Sequence, residues 1–594
     1  MGNKFHPNLG FKLLQCFVVG FSVWLITMPI AVQALTFVDS TQTNFNTGTY
    51  SATQWNGGAN NFVRLTAGGR AAGTGTYTSG VKDAGFNASW NSIAWVPTGP
   101  YNKELPANLG VETGYIINNV SMSGNNAYYR FNQAVSSTSF PDSSGNSMTG
   151  TCVATECPVS GAAGKLNTAT TFDGVNDSIA VPTSWSTNLN TTSSLAFWIR
   201  TTQVGNATFW QAPTVTGIEQ SGAGNDIFWG NIDDTGRIAL YVGDSGFVKS
   251  TNPINNNVWR HVVMTRNATT GDARIYIDGT LNANATLETG NKTTPFTAIG
   301  RLESTVGPAG FVYFAGSLDE MASFNRVLSA SEVTSMYQRA VLRLLFQVRS
   351  CPSVACTGIN FEGPDGTTGT FYSELDSPGV GLPIFNLNSL NAPLNRYFQY
   401  FIRFQTDNSA ITPTLKSVTV DYSQYIPSIA LSIRNSADTA DTNSCDLGTA
   451  STTLVSSCSY RVKVTTNAVS GYVVAVRTSG NLTSGSDSIP NAAAGTGGGG
   501  GNNIVAGTAL YGAQVLAGSI TGGTIGVNSL FNAGATNSVL FNYGSNTNMV
   551  TATGPNNPVN SSQSSLVTHN LAIDGGTPAG YYSQSITYSV TATF

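Results

Sequence analysis

An all-β chain of several antiparallel β-sandwiches is the fold class the sequence predicts, and three observations carry it. Alternating or β-branched runs such as "NSIAWVP", "ARIYIDG", "RYFQYFIRFQT", "LKSVTVDY", "SYRVKVTT" and "YYSQSITYSVTATF" recur along the chain, with the period of half-buried strands. Clusters of Gly, Asn, Asp, Ser and Pro, the residues that close hairpins, separate these runs, and Gly alone numbers 64. Helical character is confined to "SASEVTSMYQRAVLRL", where Ser329 or Ser331 can cap a short helix with Glu332 in its first turn. The length of 594 residues calls for roughly three to four domains. Only 10% of residues are charged and the formal net charge is −4, so the polar surface is mostly neutral. No basic block exists to neutralise phosphates, which argues against a nucleic-acid partner.

The first 34 residues read as a signal peptide. Lys4 and Lys12 in "MGNKFHPNLGFK" precede the apolar run "LLQCFVVGFSVWLITMPIAV", which exits through "VQA" before Leu35, so cleavage is expected after Ala34. The same run is long enough to span a bilayer if retained, and no later run reaches that length. Export implies a secreted or cell-surface protein in an oxidising space. Cys16 leaves with the peptide, and the 7 cysteines become Cys152, Cys157, Cys351, Cys356, Cys445 and Cys458. Six cysteines allow 15 connectivities, of which sequential pairing is the simplest because each pair is close in sequence. Each bridge of that kind would staple a local turn by about 2 kcal/mol. The equal spacing of "CVATEC" and "CPSVAC" also admits a four-thiolate zinc site or a redox centre, but a shared zinc would require two domains to meet at one site, and exported thiolates bridge first.

From about residue 118 to 340 a series of landmarks runs in order: "YYRFNQ", "GAAGKLNTATTFDGVNDSIAVP", "SSLAFWIRT", "NDIFWGNIDDTGRIALYVG", "NNNVWRHVVMTRNATTGDARIYIDGTLN", "FTAIGRLES" and "YFAGSLDEMASFNRVLSASEVTSMY". "FDG", "DDTG" and "IDG" are hairpin turns, and Trp198, Trp229, Trp259 and Tyr276 stand where core-facing aromatics would. The succession resembles the laminin-G-like, concanavalin-A-like lectin/glucanase jelly rolls, which share their sandwich with pentraxins. That resemblance implies a calcium-binding loop at Asn225 and Asp226, an acidic position at Glu303, and an ion held near Asp319. Calcium needs six to eight oxygens of this kind, whereas Asp and Asn at such turns also simply cap them; both readings stand. For a sugar ligand, Trp229 with Asn231 and Arg237 nearby is the candidate contact, since amphipathic rings stack on sugar faces. Its alternative is an ordinary core tryptophan in a strand.

On either side, residues 35–117 and 341–426 carry strands that lack a partner within their own segment, so one host sandwich interrupted by the jelly roll is expected. "SGVKDAG", "WNSIAW", "FQVRSC", "GPDGT" and "RYFQY" resemble a module of bacterial multidomain surface proteins. Residues 427–594 read as a separate C-terminal sandwich with a glycine-rich loop. Its "CDLG" opening and "PAGYYSQSITYSVTATF" finish resemble wall-associated or pilin-like surface modules, and its final strand offers an edge for self-association.

No catalytic constellation emerges. His261 and His569 sit among alternating apolar residues, as packed histidines do. No metal-helix "HExxH", nucleophile elbow or phosphate loop is present. Glycosidases on this sandwich need two carboxylates at about 5–9.5 Å, and the adjacent Asp319 and Glu320 of "SLDEM" point to opposite faces of a strand. The sequence therefore reads as a non-catalytic exported protein that binds carbohydrate or protein ligands, with calcium as a candidate ion. Its rivals are a structural envelope or filament subunit that uses the jelly roll as a spacer, and a secreted glycoside hydrolase.

Overall fold

The computed structural model describes the backbone of residues 15–17 and residues 35–58, 61–117, 119–221, 224–243, 246–305, 311–426, 428–468, 470–492, 504–518, 524–531, 545–553 and 561–593. The signal segment lies outside the described residues except for Gln15–Phe17, whose backbone pairs with Ser444–Asp446; the glycine tract 497–501 also lies outside them. Among the described residues no helix is long and apolar enough to cross a membrane. The architecture is almost entirely antiparallel sheet, and it divides into one compact unit of residues 32–425 and another that contains residues 426–594.

In the first unit a ten-stranded sheet takes strands from both ends of the segment. Lys82–Pro97, 16 residues long, pairs near its start with Asn395–Thr406 and along the rest of its length with Thr414–Gln424. Leu342–Cys351 runs antiparallel to Asn395–Thr406 over its whole length, from Leu342 opposite Thr406 to Cys351 opposite Tyr397. Alternation decides the faces: Leu344, Phe346 and Val348 turn into a core with Trp95, Tyr400 and Val418, and the polar Arg343, Gln347 and Arg349 turn away from it. The Trp95 ring lies flat on Phe346 at 4.0 Å.

Residues 125–341 form the jelly roll, an eight-stranded and a six-stranded sheet with a shared core of Phe197, Trp229, Leu240, Ile275 and their neighbours. The strand Ser193–Arg200 is buried on both faces, which is why "SSLAFWIR" reads as a continuous apolar run rather than an alternating one. Leu195, Phe197 and Ile199 point into the jelly-roll core, and Ala196 joins Val263, Tyr276, Val333 and Met336 on the opposite face. The covering element is the helix Ala330–Val341, which opens on a capping box between Ser329 and Glu332 and stacks Tyr337 on Trp198 at 5.9 Å. Trp198, Trp229 and Tyr276 are all buried, and Trp259 is half-buried under the Arg200 guanidinium.

A buried ion network joins the ten-stranded sheet to the jelly roll. Arg339, near the end of the helix, makes two hydrogen bonds to Glu112, donating from Nη1 at 3.0 Å and from Nη2 at 2.8 Å. Its Nε donates to the Lys103 carbonyl at 2.8 Å, and its own carbonyl accepts from Asn102 N at 2.7 Å. Burial alone would lower the Arg339 pKa, but Glu112 more than offsets this and holds the guanidinium charged. Alongside, the Lys103 ammonium donates to Tyr115 Oη at 2.9 Å and to the Gly381 carbonyl at 3.1 Å, and Tyr115 donates to Glu374 at 2.8 Å. Burial pushes Glu374 up and Lys103 down, both toward neutrality.

The second unit is a sandwich of two four-stranded sheets. One runs Ile429–Asn435, Ser456–Thr466, Ser561–Ala572, Leu510–Leu516 and the other Thr524–Val527, Thr547–Thr553, Tyr472–Thr478, Ile586–Ala592, with Tyr460, Val474, Tyr511 and Val567 in the core between them. His569 is enclosed there, with Nδ1 at 2.6 Å from Tyr511 Oη and Nε2 at 2.9 Å from Tyr460 Oη. Three local disulfides complete the molecule: Cys152–Cys157, Cys351–Cys356 and Cys445–Cys458. They fit an extracellular setting and exclude a zinc site built from these thiols.

Two measurements follow from the buried charges. Removing one partner of an enclosed ion pair leaves the other unpaired, so Arg339→Met or Glu112→Ala should each destabilise the first unit by about 3–5 kcal/mol, and the double change to Met at both positions should cost less than either single change. Urea unfolding followed by tryptophan fluorescence of the chain lacking residues 1–34 reads this unit selectively, because every remaining Trp lies between Trp55 and Trp259. Burial pushes His569 down to about 3 from an ordinary value of 6.5. The unfolded chain therefore takes up the proton first as pH falls, and stability of the second unit should be lost below about pH 6.5, by about 1.4 kcal/mol per pH unit until about pH 3. Calorimetry of His569→Gln should show that slope reduced by one proton.

Candidate functional site

The six-stranded sheet of the jelly roll runs in the order Gly246–Lys249, Ile238–Val242, Ile227–Ile232, Thr214–Glu219, Arg301–Ser304, Val312–Tyr313. The two-residue period sends Ile227 and Trp229 into the core and Phe228 to the outer face, where Ala239, Tyr241 and Leu302 lie beside it. At Gly230 the register against Ile238–Val242 shifts, with φ at +80°, and a Cβ there would collide with the Val215 side chain.

On the outer face a chain of aromatic rings reaches solvent. The turn Phe209–Gln211 lays Phe209 on Tyr241, centroids 4.7 Å apart and 8° from parallel. Trp210 meets Phe209 edge-on at 4.8 Å and is 47% exposed; Phe247 meets Tyr241 at 5.2 Å and is 45% exposed. Lys249 sits 4.9 Å over the Phe247 ring and donates to Asp233 at 3.1 Å. Burial raises Asp233, but bonds from Thr235, the Arg237 N–H and Lys249 outweigh that and hold its carboxyl below the usual range, so a fixed anion borders the rings. Burial and Asp233 push the Tyr241 hydroxyl up to about 12, which keeps it protonated. Two exposed rings at the ends of a packed aromatic row, with one ion pair beside them, can stack on an amphipathic ligand and hydrogen-bond its edge.

The candidates read from the sequence fall differently. Trp229 is 0% exposed and cannot offer a face to a sugar: its sheet is covered on both sides, so the strand expected to display it buries it instead. Asn231 is equally enclosed, and its amide donates at 2.9 Å both to the Phe209 carbonyl and to Thr214 Oγ1. It thus positions the turn that carries Trp210. Arg237 is half-buried at the Asp233 turn, where its N–H donates to Asp233 at 3.0 Å. Trp210 and Phe247 went unread, Trp210 because it lies in an irregular turn between "GNAT" and "QAP"; an adjacent Phe-Trp pair outside any alternating run was the available signal.

The four oxygen donors considered for calcium are not one constellation. Asp319 lies in the eight-stranded sheet, enclosed, accepting from Lys165 N at 2.7 Å and Leu166 N at 3.0 Å. Glu303 lies in the six-stranded sheet, and Asn225 and Asp226 lie in the loop that leads into its strand Ile227–Ile232. Asn225 accepts from Thr293 N at 3.2 Å, Asp226 from Gln220 N at 2.8 Å and Glu303 from Thr297 N at 2.9 Å. Among the described residues no group of three or more His, Cys, Asp or Glu side chains gathers as a metal would require. Burial pushes both Asp319 and its neighbour Glu320 up, and Tyr128 donates to Glu320 in the enclosed interior rather than in a cleft.

Residues 173–334, which hold the six-stranded sheet with this face and most of the eight-stranded sheet, match the family model described as concanavalin A-like lectin/glucanases superfamily. The jelly roll is a concanavalin A-like lectin/glucanase domain. Among solved structures, a Trypanosoma rangeli sialidase in complex with 2,3-difluorosialic acid is similar at 16% identity and a TM-score of 0.30, the match covering 40% of this chain and 36% of that one. Domain 4 of AbnA, a GH43 extracellular arabinanase from Geobacillus stearothermophilus, in complex with arabinotriose, is similar at 20% identity and a TM-score of 0.27, covering 36% of this chain and 98% of that one. A heptameric SAP-like pentraxin from Limulus polyphemus is similar at 10% identity and a TM-score of 0.20, covering 42% and 82%. The chain thus spans about a third of the sialidase. No curated protein matches it.

Within this lectin/glucanase domain the two tryptophans should separate a core ring from a surface one. Trp229→Ala should cost about 3–5 kcal/mol of stability, and Trp210→Ala should change it by no more than about 0.5 kcal/mol, both measured by urea unfolding.

Proposed function

We propose that this is a non-catalytic, exported cell-surface protein whose lectin/glucanase domain binds a glycan on the outer face of its six-stranded sheet. The observation that carries the reading is the aromatic row from Trp210 through Phe209 and Tyr241 to Phe247, open to solvent at both ends. A sugar ring presents C–H groups to such rings and hydroxyls to the Lys249–Asp233 pair beside them. The enclosed Asp319 and Glu320, and the helix packed over their sheet, support a binding role over a hydrolytic one. Calcium is not needed by this reading, because the rings and the ion pair are complete without it.

Immobilised arabinan, galactan, xylan and β-glucan supply the test. The intact protein should bind at least one of them, Trp210→Ala and Phe247→Ala should each weaken that binding about tenfold or more, a loss of about 1.4 kcal/mol, and a chelator should leave it unchanged. Binding that survives both substitutions would refute the aromatic face, and binding abolished by chelator would move recognition to the Asn225–Asp226 loop.

A further inference from the structure

Away from that face, a second concavity lies where the ten-stranded sheet, the segment after Pro97 and the end of the jelly-roll helix come together. It is a cavity of about 380 Å³, within the range of small-molecule sites. Its walls are apolar, built from Phe62, Ile116, Ile117, Leu342 and Ile411. Ile116 and Ile117 are 57% and 48% exposed, an unusual pair to leave in water. They are not loose: both N–H groups donate to the Thr98 carbonyl, at 2.8 and 2.9 Å, which fixes the two side chains as a ridge. The ridge also borders an adjoining, more open hollow of about 700 Å³ beside the start of the helix.

The polar groups around the cavity specify what it would hold. Thr98, Tyr101 and Thr414 hydroxyls bond one another in a closed triangle, Tyr101 lying 2.9 Å from Thr98 and 3.0 Å from Thr414. Each hydroxyl can donate to the next, so this triangle demands no partner from a ligand. Thr412 is likewise engaged, accepting from Leu65 N at 3.0 Å, and Gln338 adds a neutral amide to the lining. The Lys416 ammonium differs: it lines the cavity, is half-exposed, and makes no ion pair among the described residues. An apolar chamber with one unmatched cation calls for an apolar body that ends in one anion.

We propose that this cavity binds a small amphipathic carboxylate, an aliphatic or aromatic body lying against Ile116 and Ile117 with its carboxylate on Lys416. Because the walls come from the flanking sheet, the linking segment and the helix end, the bound molecule would bridge the two parts of the first unit and stabilise their junction by mass action.

Decanoate is the probe, titrated below its micelle concentration into the full chain by calorimetry, with decanol as the uncharged control. Saturable one-to-one binding of decanoate is expected, with a rise in the tryptophan-monitored urea midpoint. Lys416→Gln should weaken decanoate at least tenfold while leaving decanol unaffected, and Ile117→Asn should weaken both; these half-buried and exposed positions should keep the ligand-free urea midpoint. Trp210→Ala should bind decanoate normally, which separates this site from the glycan face. Absence of saturable decanoate binding, or equal binding by wild type, Lys416→Gln and Ile117→Asn, would overturn the proposal.

Discussion

The Arg339–Glu112 pair is the constraint on which the first unit depends. Both side chains are withdrawn from water, so the desolvation they suffer is offset only if the remaining donors and acceptors are met as well. Here they are met by the carbonyls of Lys103 and Glu104, groups on a segment that belongs to neither sheet. That segment is held in turn by Lys103, Tyr115 and Glu374, which reach the flanking sheet's loops. Removing any of these partners leaves a buried charge or polar group unmatched, so helix, segment and both sheets are specified together.

This junction also decides which sheet face is left accessible. The helix and the linking segment bury the outer face of the eight-stranded sheet through Tyr128, Val263, Phe324 and Met336. The outer face of the six-stranded sheet, covered in part by Phe209, leaves Trp210 and Phe247 in solvent, and there the two-residue period separates Phe228 and Tyr241 from Trp229 and Leu240. Asn231 links core and surface, since it hydrogen-bonds from an enclosed position to the turn that presents Trp210. The ring geometry on the surface is therefore set by the packing beneath it.

The sheet composition, the capped helix and the domain landmarks were legible because each rests on local periodicity: "SASEVTSMY" folds into the capped helix at Ser329, and the alternating residues of Leu342–Cys351 sort onto two faces. The three clips were legible because close pairs in an oxidising space have few alternatives. The face proposed for binding was not. In "NDIFWGNID" every residue of Ile227–Ile232 is apolar or enclosed, and a strand covered on both sides gives no period that tells which ring faces solvent. Trp210 sits in a turn with no period at all. The buried charges of "YNKELPANLGVETGY" were invisible for a related reason: in sequence they look like a solvated loop, and only tertiary contact with Arg339 and Glu374 encloses them.

Native-state hydrogen exchange on the full chain tests most directly whether this network makes one body of the jelly roll and the flanking sheet. With increasing urea, the amides of residues 195–199 in the jelly roll and 398–404 in the ten-stranded sheet should converge on a single opening free energy and exchange together. If residues 195–199 exchange at lower urea while residues 398–404 remain protected, the jelly roll opens on its own and the buried network does not couple them.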